Sequence, residues 1–350
     1  MKKRLIALTL ALVTILFCFA GCKAEQTETT PPTETEAPAL TEAPAETAAP
    51  AEINFSFDMS IGRSEDAEVI TQTVTKVPEK VLCLSYEFAA MMVDLGLEDH
   101  IAAVAMSEGP TSSKPGIVEK MLPLKCLGSV WELSKEQVLA EGTDFIISWD
   151  TFFTEKFFAP QFCQDNGIIM YSPYCTHDGA DSIEEIYRDY ETLGIIFGVE
   201  EVAAQRIEEM KAVMASVETA LKDVKEPVRV FDYDSGDDDA FTACKGLPGA
   251  IFEAAGADSV FGDIDKGWAR VSWEEIVARD PEVILINNYS GDESEFNEKK
   301  EFLESMEALK NVTAIKEGRI FSIPTNDIEG AAGTVYLIED IAQMLYPELF

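Results

Sequence analysis

The chain has 350 residues, 47% hydrophobic and 26% charged, enough apolar material to bury a core and enough length for about two domains. With 27 Lys and Arg against 64 Asp and Glu, the net charge of -37 leaves no basic surface to neutralise phosphates, so nucleic acid is excluded as a partner. Only two histidines, His100 and His177, are present. A site of three or four imidazoles is excluded by count, and any metal must arrive chelated or use oxygen ligands.

In chain order, Met1, Lys2, Lys3 and Arg4 form a positive start, and residues 5–20 form an apolar stretch too short for a comfortable membrane span. Phe19-Ala20-Gly21-Cys22 follows and resembles a bacterial lipobox, with Phe19 where an aliphatic residue is usual. Export and lipidation at Cys22 are expected, placing the mature chain outside the cytoplasm on a membrane anchor. From residue 23 to 52, 27 of 30 residues are Thr, Glu, Ala or Pro, with almost nothing to bury. This is a tether kept extended by proline and repelling glutamates.

Beyond the tether, short apolar runs alternate with helical segments, which predicts an α/β fold. Strands are predicted at 81–84, 101–105, 145–147 and 168–170, then at 228–231, 283–286 and 319–323. Between the two sets lie helices over 181–197 and 200–221. The second carries Ile207, Met210, Val213 or Met214, Val217 and Leu221 at spacings near 3 and 4. At 1.5 Å per residue it is roughly 33 Å long, enough to splint two lobes.

The most informative feature is an internal repeat. Ser134-Lys-Glu-Gln-Val-Leu-Ala-Glu-Gly-Thr-Asp-Phe-Ile-Ile147 lies over Ser272-Trp-Glu-Glu-Ile-Val-Ala-Arg-Asp-Pro-Glu-Val-Ile-Leu285 without a gap. Each copy opens with a capping box, Ser134 with Gln137 and Ser272 with Glu275, then a short helix, a polar turn and a buried strand. Two similar lobes facing each other across a cleft are expected. The domain boundaries follow: signal peptide 1–21, lipidated Cys and tether 22–54, first lobe 55–178, connecting helices 179–225 and second lobe 226–350.

Of the five cysteines past the tether, Cys83 and Cys126 lie in apolar runs and are expected to be buried thiols. With Cys163, Cys175 and Cys244 they form an odd set at irregular spacing, which is no disulfide framework. No P-loop, nucleophile elbow, His-Glu-x-x-His or dinucleotide fingerprint is present, so no enzyme is expected, and no cofactor. The acidic run from Asp232 to Asp239 has Gly236 and Ala243 where an EF-hand needs acidic ligands, which leaves a solvated acidic loop or a cleft wall.

From about Phe55 to Phe350 the chain resembles the extracytoplasmic substrate-binding proteins of ABC importers that carry iron-siderophore complexes, haem and cobalamin. The residues that carry the resemblance are Val77-Pro78-Glu79-Lys80-Val81-Leu82-Cys83-Leu84-Ser85, Leu95-Gly96-Leu97, Lys316-Glu317-Gly318-Arg319-Ile320 and the two repeat copies. It implies two α/β lobes joined by a long rigid helix, with ligand held between them. It also implies docking of Glu136 and Glu274, one per lobe, onto permease arginines. Both stand in the first turn of a helix, where a carboxylate is favoured by the dipole and suits a guanidinium fork.

Strand-end loops should line the cleft. The candidates are Tyr86, Trp131 and Trp149 from the first lobe, and Trp268, Arg270 and Asp327 from the second. Trp268 matches an aromatic position that faces ligand in the family; Arg270 can donate to metal-bound oxygens, whereas Trp273 reads as packing or permease-facing. The expected ligand is a ferric siderophore of the hydroxamate type, carried by a monomer. A corrinoid or cobalamin, or haem with His177, Tyr86, Tyr171 or Tyr174 as axial ligand, remains open within the same importer class, as does a surface adhesin that has recruited the fold.

Overall fold

The computed structural model describes residues 52–61, 68–177 and 180–350; the predicted signal peptide, Cys22 and the tether to residue 51 lie outside them. The described chain opens with an antiparallel hairpin, β1 (Glu52–Ile61) and β2 (Glu68–Lys76), in which Phe55 pairs with Val74 and Met59 with Ile70. Its residues alternate with period two: Phe57 and Met59 are buried while Asn54, Ser56 and Asp58 are exposed.

The first lobe then runs β3 (Val81–Cys83), α1 (Tyr86–Asp94), β4 (Ile101–Val104), α2 (Ile117–Met121), α3 (Lys135–Ala140), β5 (Phe145–Ile147), α4 (Pro160–Asp165) and β6 (Ile169–Tyr171). Its strands pair in parallel in the order β4-β3-β5-β6. Strands so short and apolar are buried on both faces, as parallel sheets require. The opening hairpin covers the β6 edge, where Gln72 accepts from the Met170 amide at 3.4 Å and the Phe57 ring meets Tyr171 edge-on at 5.4 Å.

Two helices follow, α5 (Glu184–Phe197) and α6 (Glu200–Leu221), the latter burying Ala203, Ile207, Met210 and Val217 along one stripe. Asp94, at the end of α1, is nearly inaccessible and holds three elements together. It accepts from Tyr190 of α5 at 2.8 Å, pairs with Lys114 at 2.7 Å, and lies 3.4 Å from the Arg206 guanidinium of α6. Asp189 of α5 does the same for the turn after β6, accepting from Tyr171 Oη and the amides of Tyr174 and Cys175.

The second lobe runs β7 (Val228–Tyr233), β8 (Ala240–Ala243), α7 (Gly246–Ala254), β9 (Ala257–Ser259), β10 (Trp268–Val271), α8 (Trp273–Arg279), β11 (Val283–Asn288), α9 (Glu293–Ser305), α10 (Thr313–Glu317), β12 (Ile320–Pro324), α11 (Thr325–Ile328) and α12 (Thr334–Leu345). Its parallel sheet is ordered β12-β11-β7-β9, and β8 pairs antiparallel with β10. Numbered by sequence within each lobe, both parallel sheets run 2-1-3-4. The repeat seen in the sequence is therefore a repeat of topology.

In both copies the capped helix leads into the third strand, and both boxes are closed: Ser134 Oγ accepts from the Gln137 amide at 3.2 Å, and Ser272 Oγ from the Glu275 amide at 3.3 Å. The turn after each helix takes a left-handed residue at the aligned position, Gly142 with φ 71 and Asp280 with φ 44. Glycine adopts this freely. Asp280 is held there by its carboxylate, which accepts from the amide and hydroxyl of Thr313 at 2.7 and 3.0 Å.

The second sheet divides its side chains with period two. Val230, Leu285 and Ile323 join a core that continues through α7, α12, α6 and the whole first lobe, whereas Phe231, Ile284 and Ile286 face a smaller core of their own. The segment after β12 returns to the first lobe. Asn326 accepts from the amide and hydroxyl of Thr111 at 2.8 and 2.9 Å, and Asp327 accepts from Ser112 at 3.1 Å and from the Ser113 amide. Gly333 lets α12 start there, because a Cβ would stand 2.3 Å from the Asp327 carboxylate.

Candidate ligand-binding cleft

In a 2-1-3-4 parallel sheet the chain reverses direction between strands 1 and 3, which leaves a crevice at their carboxyl ends. In the first lobe those ends are β3 and β5, leading to Glu87 and Trp149; in the second they are β7 and β11, leading to Asp234 and Tyr289. All four line one cleft of about 1460 Å³ between the lobes. That exceeds the usual ~300–1,000 Å³ of a small-molecule pocket.

The walls are aromatic. Trp149 meets Phe88 edge-on at 5.0 Å, Trp131 packs against Phe152 at 5.0 Å, and Trp268 of β10 stacks on Phe241 of β8 at 5.5 Å and 20°. Trp131 is 67% exposed, a large apolar surface at the mouth. The β8/β10 pairing, with Trp268 opposite Ala243, presents the Trp268 and Phe241 rings to the cleft.

The floor is acidic. Among the described residues seven carboxylates line the cleft against two lysines and no arginine. Glu87 in the first turn of α1 is inaccessible; Asn326 donates to its Oε2 at 3.2 Å and Ser85 also donates there. Burial pushes its carboxyl up to about 7 against those bonds. Glu329, just past α11, rises to about 8 through burial and then the nearby Glu87, Asp234 and Asp232. Asp232, inaccessible at the end of β7, rises to about 8 by burial although it accepts from Ala243 N at 3.0 Å and Asn287 at 3.1 Å. Asp234 accepts from Tyr289 Oη at 2.5 Å. The acidic run thus divides, with Asp234 on the lining and residues 237–239 exposed to solvent.

A family model described as periplasmic binding protein matches residues 81–326. The chain belongs to the periplasmic binding protein family. As a member it is a substrate-binding transport component and not an enzyme. Among curated relatives it is similar to an uncharacterized ABC transporter substrate-binding lipoprotein, YvrC, of Bacillus subtilis (strain 168), 23% identical over 291 residues that cover 82% of this chain and 86% of that protein. A periplasmic binding protein of Veillonella parvula superposes with a TM-score of 0.73 at 26% identity, covering 84% of this chain and 98% of that one. A protein of an ABC-type Fe3+-hydroxamate transport system from Saccharomonospora viridis superposes with a TM-score of 0.67 at 18% identity, covering 82% and 99%.

Of the predicted site residues, the structure brings Trp131, Trp149 and Trp268 onto the lining of this periplasmic binding protein. It does not bring Tyr86, Arg270 or Asp327 there. Tyr86 is 6% exposed and its hydroxyl lies by the Cys126 thiol, because α1 begins at this residue and turns Glu87 to the cleft instead. Arg270 lies over the Phe241 ring at 5.6 Å, outside the lining. Asp327 is consumed by Ser112, Ser113 and Gly333 beneath the floor. Trp273 is packing: it is buried against Tyr233 and Phe302 and donates to Asp237 O.

Glu136 and Glu274 are both exposed, each in the first turn of its helix, and neither makes an ion pair among the described residues. The five cysteines of the described residues are free. Cys126 corrects the expectation of a buried thiol. It is exposed, because its run forms only an isolated bridge to Val104 at the sheet margin.

Proposed function

We propose that this periplasmic binding protein captures a bulky metal chelate, a ferric hydroxamate-type siderophore, between its lobes and delivers it to the permease of an ABC importer. The observation that carries this reading is a large cleft walled by Trp131, Trp149, Trp268 and Phe241 over a carboxylate floor that has no arginine among the described residues. Aromatic faces cover the apolar periphery of a chelate. The negative floor disfavours a highly anionic ferric catecholate and suits a neutral or cationic complex. A corrinoid, with its ring of donating amides, is the second reading that this acceptor-rich floor supports.

Delivery is assigned to Glu136 and Glu274 as the permease contacts, supported by their matching, exposed positions on capped helices in the two lobes. Leu139 and Val277, exposed one turn further on at aligned positions, extend each contact with an apolar spot. Anchoring is assigned to a lipid on Cys22, outside the cytoplasm. Titration of the purified protein with ferric hydroxamates, ferric catecholates, haem and cobalamin tests the ligand. A ferric hydroxamate should quench tryptophan emission with micromolar or tighter affinity, and Trp268→Ala should reduce both quench and affinity. Binding confined to cobalamin or haem would replace the ligand but keep the importer. Silence across the panel would sink the chelate reading, and silence together with binding to cell-wall or host polymers would sink the importer reading.

A further inference from the structure

We propose that the ligand carries a positively charged, hydrogen-bond-donating group of the ammonium or amidinium kind, received on the cleft floor by Glu87, Asp234 and Glu329. The inference rests on the cleft being the chelate site and specifies the charge of what enters it. The three carboxyls come from three separate parts of the fold: α1, the end of β7 and the residue after α11. A single cation between them would draw on both lobes at once.

No basic group among the described residues of the floor answers them. Lys245 stands half-exposed and is paired with Asp265 at 3.0 Å, Lys266 is exposed, and Lys299 lies behind the Tyr289 ring, bound to Glu295 at 3.0 Å. Among the described residues His177 is the one other basic residue on the lining, and burial lowers its affinity for a proton.

A separate observation asks for a ligand. Thr325 is 7% exposed and lines the cleft, yet its hydroxyl has no partner among the described residues, and the Glu87 carboxyl, 1% exposed, has its Oε1 likewise unpartnered among them. Buried polar atoms are rarely left so, because each has given up its bonds to water without a replacement. Because the three carboxyls stand on three separate parts of the fold around one cleft, a polyatomic cation with several donors can meet more than one of them.

Burial holds the Glu87 carboxyl up to about 7 and the Glu329 carboxyl up to about 8, which limits repulsion between these two. Around Glu87 stand Ser85, Asn326 and Asp327; around Glu329 stand Glu87, Asp234 and Asp232. An arriving cation makes the ionised forms favourable, and the displaced protons pass to solvent. The flanking tryptophans add attraction between cation and ring.

The test is a matched pair of probes: ferric desferrioxamine B, a trihydroxamate chelate ending in a free ammonium, and its N-acetylated, neutral form. Wild-type protein should bind the ammonium form at least about tenfold more tightly, a gap of ~1.4 kcal/mol. Glu329→Gln, at a side chain without a hydrogen bond among the described residues, and Glu87→Gln should each shrink the ratio toward unity without lowering the melting temperature. The same ratio is read between cationic aquacobalamin and neutral cyanocobalamin. Equal affinity within a pair that binds, or a ratio that survives both substitutions, would overturn the inference and leave the chelate reading standing. No binding by any of the four would overturn both.

Discussion

Glu87, Asp189, Asp232, Asp327 and Glu329 hold their protons into a range where a free carboxyl has lost them. Burial is the first cause in each, lifting Asp189 to about 6, Glu87 and Asp327 to about 7, and Asp232 and Glu329 to about 8. The unfolded chain releases these protons near pH 4, so between there and pH 8 the native state binds more protons than the unfolded one. By linkage, stability then falls as pH rises. The empty protein should melt at a higher temperature at pH 5 than at pH 8, and Glu329→Gln should flatten that slope while an exposed control such as Glu298→Gln leaves it. A melting temperature that climbs across the interval would refute the assignment. Little of this was legible beforehand. That strand ends meet a cleft follows from α/β topology, but whether Tyr86 or Glu87 faces inward depends on where α1 takes its first turn, and two adjacent helical residues point about 100° apart.

At the scale of elements, the parts visible in the sequence were those whose local chemistry and burial agree. The central strands are continuous apolar runs, and the two capping boxes announce α3 and α8 to the residue. The β1/β2 hairpin is different. Its alternation of Phe55, Phe57 and Met59 with Asn54, Ser56 and Asp58 is absent from the predicted strands, which begin at residue 81, and its role as a cover for β6 is a tertiary fact. The β8/β10 pair, which presents Trp268, has four residues a side and no period long enough to register. The capped helices bear directly on transport. Glu136→Ala with Glu274→Ala should abolish uptake in cells and leave the ligand affinity of the purified protein within about twofold, since neither residue lines the cleft. A tenfold loss of affinity, ~1.4 kcal/mol, would assign them to ligand instead.

At the scale of the molecule, no helix among the described residues is long and apolar enough to cross a membrane. Attachment is proposed to depend on Cys22, from the short apolar start and the Ala20-Gly21-Cys22 boundary in the sequence. In cells fed a labelled fatty acid, the wild-type protein should carry the label and stay with membranes, and Cys22→Ala should lose the label; an unlabelled wild type would end that proposal. The two-lobe plan itself was legible from the repeat, whereas the path of the last thirty or so residues was not, since only tertiary contacts send Asn326 and Asp327 back to residues 111–113. That return has a thermodynamic consequence. One apolar core runs from the first sheet through α6 and α12 to the inner face of the second, so neither lobe can lose its packing and leave the other intact. Calorimetry of residues 52–350 should accordingly give a single peak whose van't Hoff and measured enthalpies agree, two lobes by shape but one unit of cooperativity.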